Sequence, residues 1–186
     1  MVGIEFYVFG SELWCKFSDG RNEVVDETKV ELIQFLLDKI RQCYPEAYQA
    51  LEKFYSKSAA NVSYYQFLMV RRFCKCNFCR LDITSYDVVD VDADGKFNFE
   101  KVECPMRGEC PLEGIVCMPK FNNKLSPAEL RVMRLYYEGR CKEDIAAELY
   151  ISPDTVKNHI KNAYVKLGVH EKSEFIRFCK DNQMFN

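Results

Sequence analysis

Apolar residues recur at helical spacing through the first part of the chain. Between Asp26 and Cys43 they share one side of a predicted helix, at Val30, Ile33, Leu36, Leu37 and Ile40. Pro45 favours a second helix over PEAYQALEKFYSK, because proline is tolerated at the first helical position. A third helix is predicted for VSYYQFLMVRRF, residues 62–73, which leads directly into the sequence CKCNFC.

Two other stretches have the alternation and the turn residues of β-structure. Residues 5–25 alternate weakly around FGSE and SDGR, which predicts a short ribbon or hairpin. Within residues 82–103 the runs ITSYDVVDV and KFNFEKVE flank DADG, and an Asp-Gly pair between such runs is typical of a hairpin turn. The polar segment PKFNNK, residues 119–124, then predicts a domain boundary.

From Leu125 onward the pattern changes to four short predicted helices. The sequence SPAE at 126–129 has the form of a capping box with proline at the first helical position. The sequence SPDT at 152–155 repeats the cap-plus-proline start for the third of these helices. Gly139 and Gly168 are placed to end the first and the third helix, because glycine adopts the left-handed conformation of a helix C-terminus.

The third of these helices has two different faces. Its core side is predicted to consist of Val156, Ile160, Ala163 and Leu167. The opposite side and its flanks consist of Asp154, Lys157, Asn158, Lys161 and Asn162. Lysine neutralises phosphates and asparagine pairs with adenine edges, so this face has the chemistry of a helix that reads DNA. A merely solvated helix face has the same composition, and the pattern alone leaves both interpretations open.

Residues 125–169 resemble the LuxR/NarL-type (GerE-like) helix-turn-helix. The matching text is Leu125-Ser126-Pro127, Glu129, Glu138-Gly139, Ile145-Ala146, Leu149, Ser152, Thr155-Val156-Lys157, His159-Ile160 and Lys166-Leu167-Gly168-Val169. The resemblance implies a domain that places its third helix in the major groove of double-stranded DNA. It puts Lys157, Asn158 and Lys161 at positions that contact DNA in the family, and Thr155 and Asn162 complete the candidate set.

The same resemblance implies a homodimer on DNA, formed with the help of the fourth helix. The apolar residues expected to supply that surface are Leu167, Val169, Phe175, Ile176 and Phe178. A sigma-factor region-4 module shares this order of helices, which keeps RNA polymerase among the candidate partners.

Composition and charge narrow the class of protein. Apolar residues make up 48% of the chain and aromatic residues 14%, which indicates packed cores and argues against wholesale disorder. No apolar run reaches the roughly 18 residues of a membrane span, and the first residues lack the features of a secretory signal. A cytoplasmic protein without membrane association is therefore expected. The formal net charge is −2, although residues 124–186 carry 11 Lys and Arg against 9 Asp and Glu.

Six of the ten cysteines lie within residues 74–117. Disulfides rarely persist in a reducing cytoplasm, so Cys-x-x-Cys followed by further cysteines is typical of a metal site. Four thiolates suit a closed, structural zinc site in a segment that resembles a zinc ribbon. The favoured ligands are Cys76, Cys79, Cys104 and Cys110, with Cys117 as the substitute. An iron–sulfur cluster and ordinary buried thiols remain open.

The sequence Asp90-x-Asp92-x-Asp94-Gly95 also resembles the start of a calcium loop. A hairpin turn is favoured, because the twelfth position is Lys101 and the flanks are strand-like. No nucleophile elbow, phosphate loop or dinucleotide motif is present, so no enzyme activity is expected.

These patterns predict a mainly α-helical protein with a small β component. Residues 1–119 would form an α+β domain containing a cysteine–zinc hairpin, and residues 120–186 a four-helix domain of the LuxR type. The predicted function is transcription regulation through DNA binding. The alternatives are an iron–sulfur redox sensor that regulates transcription and a zinc-stabilised adaptor that binds another protein.

Overall fold

The computed structural model describes residues 3–79, 88–93, 95–182 and 184–185. The chain divides into two compact units, Met1–Lys120 and Phe121–Asn186, and the division falls within the turn-rich segment 119–124. Seven α-helices and one three-stranded sheet make the described part mainly helical, as predicted. None of the helices in these ranges has both the length and the apolar character that crossing a bilayer demands.

An antiparallel sheet opens the first unit. Its strands are β1 (Ile4–Phe9), β2 (Glu12–Phe17) and β3 (Asn22–Val25), in that order across the sheet. The predicted ribbon is confirmed and extended by a third strand. Alternate side chains are buried, at Ile4, Phe6, Leu13, Cys15 and Val25.

Three helices of the first unit follow this sheet and pack on one another, and the third of them contacts β1. They are α1 (Val30–Cys43), α2 (Pro45–Phe54) and α3 (Val62–Asn77), with a short 3₁₀ turn at Ser56–Ser58. All three predicted helices are confirmed, and α3 continues past the predicted end at Phe73. It continues because its buried stripe does, through Met69, Val70, Phe73, Cys74 and Asn77. The first cysteines of the cluster therefore belong to a helix.

The hairpin predicted over residues 82–103 is confirmed only close to its turn, where the Asn98 N–H donates to the Asp90 carbonyl over 2.8 Å. Residues 82–87 and Asp94 lie outside the described residues. The remainder contains no regular strand and only isolated bridges, in which Val91 pairs with Ile4 and with Phe97. A tight loop does form, since the Asp92 N–H donates to the Lys96 carbonyl over 3.1 Å.

An aromatic cluster explains why the run KFNFEKVE is not a strand. Phe97 and Phe99 pack against Tyr44, Phe73 and Phe78, with ring centroids 5.1–5.9 Å apart. Such ring pairs are worth about 0.5–1.5 kcal/mol each beyond the area that they bury. The apolar residues of this run therefore pack against helices instead of facing a partner strand.

The second unit consists of the four predicted helices. They are α4 (Pro127–Tyr137), α5 (Lys142–Leu149), α6 (Pro153–Leu167) and α7 (Lys172–Asp181). The predicted caps are confirmed: Ser126 and Glu129 form a capping box, and Ser152 Oγ accepts from the Thr155 N–H over 3.1 Å. One core joins the helices, through Val132, Met133, Ile145, Ala146, Val156, Ile160, Ala163, Val169, Phe175 and Cys179.

Candidate nucleic-acid interface and cysteine cluster

Helix α6 is held by its apolar side and presents its polar side to solvent. Val156, Ile160 and Ala163 are buried against α4 and α5, and Leu167 is partly buried against the same core. The side chains that remain exposed on α6 include Lys157, Asn158, Lys161 and Asn162. Four of the five candidate DNA-contacting side chains are therefore exposed on a helix whose orientation is fixed by packing.

The fifth candidate, Thr155, is engaged within the domain. Its hydroxyl lies 2.9 Å from Ser152 Oγ, and its side chain is half-buried. It therefore helps to begin α6 in addition to any contact that it makes with a ligand. His159 is also half-buried, as expected for a residue at the edge of the core.

Two basic residues that were not singled out from the sequence lie beside this face. Lys142 at the start of α5 and His170 after α6 line one open depression together with Lys157, Asn158 and Lys161. The sequence pattern did not indicate these two residues, because neither belongs to the helical repeat of α6. The depression thus gathers three lysines where a polyanion would approach.

An ion pair fixes the far end of α6. Lys166 Nζ donates to Glu129 Oε2 over 2.6 Å, and the same carboxylate oxygen accepts from the Ser126 N–H over 2.7 Å. Lys166 first, and then the Ser126 N–H, lowers the pKa of Glu129 to about 2. Glu129 is buried, and its two hydrogen bonds join the start of α4 to the end of α6.

The turn between α5 and α6 has an unusual apex. Tyr150 ends α5 in the left-handed conformation, with φ +55°, and its side chain is 95% exposed. Few residues other than glycine and asparagine adopt this conformation readily. At the other end of α5, Cys141 Sγ accepts from the Asp144 N–H over 3.4 Å. The helix-turn-helix therefore forms with a cysteine as the N-cap of α5 and a tyrosine in the turn that follows it.

Comparisons with known proteins agree with this geometry. Residues 123–179 match the family model of bacterial regulatory proteins, luxR family. Residues 123–179 form a LuxR-family helix-turn-helix domain. Proteins named as HTH-type transcriptional regulators in Mycobacterium bovis and in two strains of Mycobacterium tuberculosis are each 40% identical over 52 residues. That match covers 28% of this chain and only 6% of each relative. No solved structure gives a significant match to the chain.

The surface expected to pair two copies of the LuxR-family domain is only partly available in the structure. Phe175 and Val169 were expected on that surface, but both are buried in the core of the domain. They are buried because one turn of α7 closes the bundle over α4 and α6. The remaining residues of the set, Leu167, Ile176 and Phe178, are only partly exposed, and Phe178 packs on Phe121 with ring centroids 5.8 Å apart.

A buried asparagine organises the cysteine cluster of the first unit. Asn77, at the end of α3, is 0% exposed. Its Nδ2 donates to the Val116 carbonyl over 2.8 Å, and its Oδ1 accepts from the Met118 N–H over 2.8 Å. The two residues on either side of Cys117 are thus bonded to one side chain. This clamp was not foreseen from the sequence, where Asn77 is only a residue between two cysteines.

The clamp brings Cys117 against Cys76. The Cys76 thiol donates a hydrogen bond to the Cys117 thiol, which raises the pKa of Cys76 and lowers that of Cys117. Burial first, and then Asp90, raises the pKa of Cys79 to about 12. In the described part of the chain, no three His, Cys, Asp or Glu side chains lie close enough together to hold a metal ion.

Asp90 has a structural partner and is not arranged as a calcium ligand. Its Oδ2 accepts from the Phe6 N–H over 2.6 Å, and Asp92 Oδ1 accepts from the Lys96 N–H over 2.9 Å. Asp94, the third residue of the calcium alternative, lies outside the described residues. Asp90 is only 3% exposed, and this burial raises its pKa from 3.8 to about 8.

The raised pKa of Asp90 predicts a pH-dependent stability of the first unit. The folded state keeps the proton between about pH 4 and pH 8, whereas the unfolded chain releases it. Stability should therefore fall as pH rises through this window, by up to roughly 1.4 kcal/mol per pH unit. Asp90→Asn should flatten the slope, because the amide still accepts from Phe6 but does not titrate.

Urea unfolding followed by tryptophan fluorescence measures this slope, because the single tryptophan, Trp14, lies in β2. Asp38→Asn, at an exposed position on α1, is the control and should keep the wild-type slope. Equal slopes in wild type and Asp90→Asn would contradict the assignment.

Proposed function

We propose that the chain is a DNA-binding transcription regulator that reads the major groove with α6. The proposal rests on a family match and on an exposed polar helix face that fall in the same segment. The segment that matches the luxR family model contains a packed helix whose outward face exposes Lys157, Asn158, Lys161 and Asn162. The chain spans about 6% of the length of the curated relatives that it matches, so the proposal concerns this domain's chemistry.

Each exposed side chain has a defined role in this proposal. Lys157 and Lys161 lie one helical turn apart and neutralise phosphates or donate to guanine edges. Asn158 and Asn162, also one turn apart, pair with adenine edges. A helix of 15 residues is about 22 Å long, at about 1.5 Å per residue, which suits insertion into a groove. The ion pair of Lys166 with Glu129 holds the end of this helix in place.

The proposal includes pairing of two copies on DNA, which the resemblance to the family supports. A twofold arrangement would read an inverted repeat with half-site centres about 10 base pairs apart. Since Phe175 and Val169 are buried, the pairing surface would consist of the partly exposed residues of α7 and its approach.

Removing both lysines should weaken DNA binding and reduce its dependence on salt. Each phosphate contact that is lost lowers the slope of log affinity against log salt by about 0.9 on duplex DNA. The double variant Lys157→Ala/Lys161→Ala should therefore lose up to about two units of slope and roughly ten- to hundredfold in affinity at moderate salt. Fluorescence anisotropy with a labelled duplex, titrated at several salt concentrations, measures both quantities.

A matched control removes the same charge from the other unit. Lys53 and Lys57 are both exposed, so Lys53→Ala/Lys57→Ala changes the net charge equally. It should leave the slope unchanged. If the two double variants behave alike, α6 is not the DNA-contacting helix. If wild-type protein does not bind DNA even at low salt, the DNA-binding proposal is wrong and the interpretation as a protein-binding adaptor is favoured.

A further inference from the structure

We propose that Tyr150, in the turn between α5 and α6, contacts DNA: its phenol donates a hydrogen bond to a phosphate at the edge of the groove that α6 enters. This inference rests on the DNA binding proposed above and adds a contact that lies outside α6. Phosphate contacts fix the position of a protein on the duplex and carry no sequence information themselves. Tyr150 therefore positions α6 in the groove and does not select the sequence.

The helix ends of the C-terminal unit show that this turn does not require a tyrosine. Each of α4, α5 and α6 is followed by a residue in the left-handed conformation, which is Gly139, Tyr150 and Gly168, with φ of +92°, +55° and +68°. After each of these residues, the next N–H donates to the carbonyl five residues earlier in the chain, over 3.0–3.1 Å. The same turn is thus formed twice with glycine and once with tyrosine.

Tyrosine is the less favourable residue for this conformation. The Cβ of an L residue crowds the following carbonyl oxygen when φ is positive, and glycine has no Cβ. Burial of the ring does not offset this strain, because Tyr150 is 95% exposed. Strained residues of this kind occur preferentially at functional sites. The tyrosine side chain therefore stabilises neither the turn nor the core, and we assign it to a contact with another molecule.

The backbone that carries Tyr150 is fixed by its neighbours. Leu149 and Ile151, on either side, are partly buried and pack against the core that joins the four helices. The Tyr150 N–H is bonded to the carbonyls of Ala146 and Ala147 at the end of α5. The exposed ring is therefore held on an ordered turn, which reduces the conformational entropy that is lost on binding.

The turn leads directly into the end of α6 that would enter the groove. Ser152, only two residues after Tyr150, is the N-cap of α6. In helix-turn-helix proteins the N-terminal residues of the second helix contact base edges, and the first helix crosses the sugar–phosphate backbone. The turn between the two helices then lies beside the strand that borders the groove. A tyrosine side chain at this turn is therefore close to phosphates.

The charges of α5 leave few other donors for that strand. Lys142 is the one basic residue among the eight of this helix. Glu143, Asp144 and Glu148 are acidic and exposed, and carboxylates repel phosphates. Tyr150 follows the end of α5 that is opposite to Lys142, and its phenol has no negative charge at neutral pH. The two residues can therefore donate to the backbone from the two ends of α5.

The chemistry of tyrosine distinguishes this contact from those of the lysines. A phenol O–H donates to a phosphate oxygen, and tyrosine is among the side chains that make such contacts. Because the phenol is uncharged, it does not replace a counterion of the duplex. It should therefore raise the affinity for DNA without steepening the dependence of log affinity on log salt.

Tyr150→Phe and Tyr150→Gly test the proposal in the full chain, by fluorescence anisotropy with a labelled duplex of random sequence. Tyr150→Phe should bind about tenfold more weakly, as expected for a lost hydrogen bond to a charged group, with the salt slope of wild type. Tyr150→Gly should lose at least as much affinity, yet its melting temperature should equal or exceed that of wild type. Tyr64→Phe removes an exposed phenol from the other unit and should bind as wild type does.

The possible outcomes separate this inference from the proposed function. Wild-type affinity in Tyr150→Phe, or a loss accompanied by a shallower salt slope, would overturn the phosphate contact. A lowered melting temperature in Tyr150→Gly would also overturn it, because the tyrosine would then stabilise the turn. If the lysine variants of α6 lose affinity while both Tyr150 variants keep it, this inference alone is wrong. If wild-type protein does not bind the duplex, the proposed function is wrong as well.

Discussion

Replacing Phe175 with alanine is expected to unfold the C-terminal unit. Phe175 is 0% exposed and its ring contacts Tyr136, Tyr137, Tyr164 and Phe185, with centroids 6.0–6.5 Å apart. Truncating a buried phenylalanine costs about 3–5 kcal/mol. The unit Phe121–Asn186 is small, and a unit of this size has only about 3–10 kcal/mol of stability in total. The substitution therefore removes most of the free energy that stabilises the folded C-terminal unit.

Far-UV circular dichroism and DNA binding measure this effect together, because both depend on α6 remaining in place. Phe178→Ala on the same helix is the control. Phe178 is only half-buried against Phe121, so its truncation should cost clearly less. Trp14 fluorescence reports the other unit and should keep its wild-type unfolding transition. An unchanged melt of Phe175→Ala would mean that this ring does not hold the bundle together.

Replacing Asn77 with alanine is expected to destabilise the first unit by about 3 kcal/mol. The change leaves the buried Val116 carbonyl and the Met118 N–H without the partner that Asn77 gives them. A buried polar group without a partner costs about 1–3 kcal/mol, and the cavity adds to this.

Urea unfolding followed by Trp14 fluorescence measures the loss, with Asn98→Ala as the control. Asn98 is half-buried and its side chain donates one hydrogen bond, to the Val89 carbonyl over 2.8 Å. Its replacement should cost about 1 kcal/mol. Asn77→Ala should also release Cys117 for faster alkylation, because the clamp no longer holds residues 116–118. Equal costs for the two variants would show that the clamp is not a special contact.

The second unit was predictable from the sequence because its signals are local. The capping box at Ser126, the cap at Ser152 and the glycine at 168 each act within one turn of chain. The buried stripe of α6 follows from its spacing alone. What local signals could not provide is the burial of Phe175, which depends on how α7 closes over the other helices. From the sequence alone, an apolar residue on a short helix can be assigned equally well to the core or to an interface.

The first unit was less predictable because its contacts span the chain. The run KFNFEKVE alternates as a strand does, yet its phenylalanines pack on Tyr44 and Phe73, which lie far away in sequence. The Cys-x-x-Cys spacing suggested that Cys76 and Cys79 act together. In the structure Cys76 belongs to α3, and Cys79 lies beyond the end of that helix.

The cysteine that caps α5 has a practical consequence. Cys141 is the one exposed thiol among the ten, all of which are described by the structure, and it lies at the start of the helix that precedes α6. A maleimide dye should therefore attach there first, within a few residues of Lys142 and close to the depression beside α6. Its exposure makes Cys141 the most accessible attachment point for a fluorescent reporter, and a Cys141→Ser chain, whose hydroxyl can still cap the helix, supplies the reference.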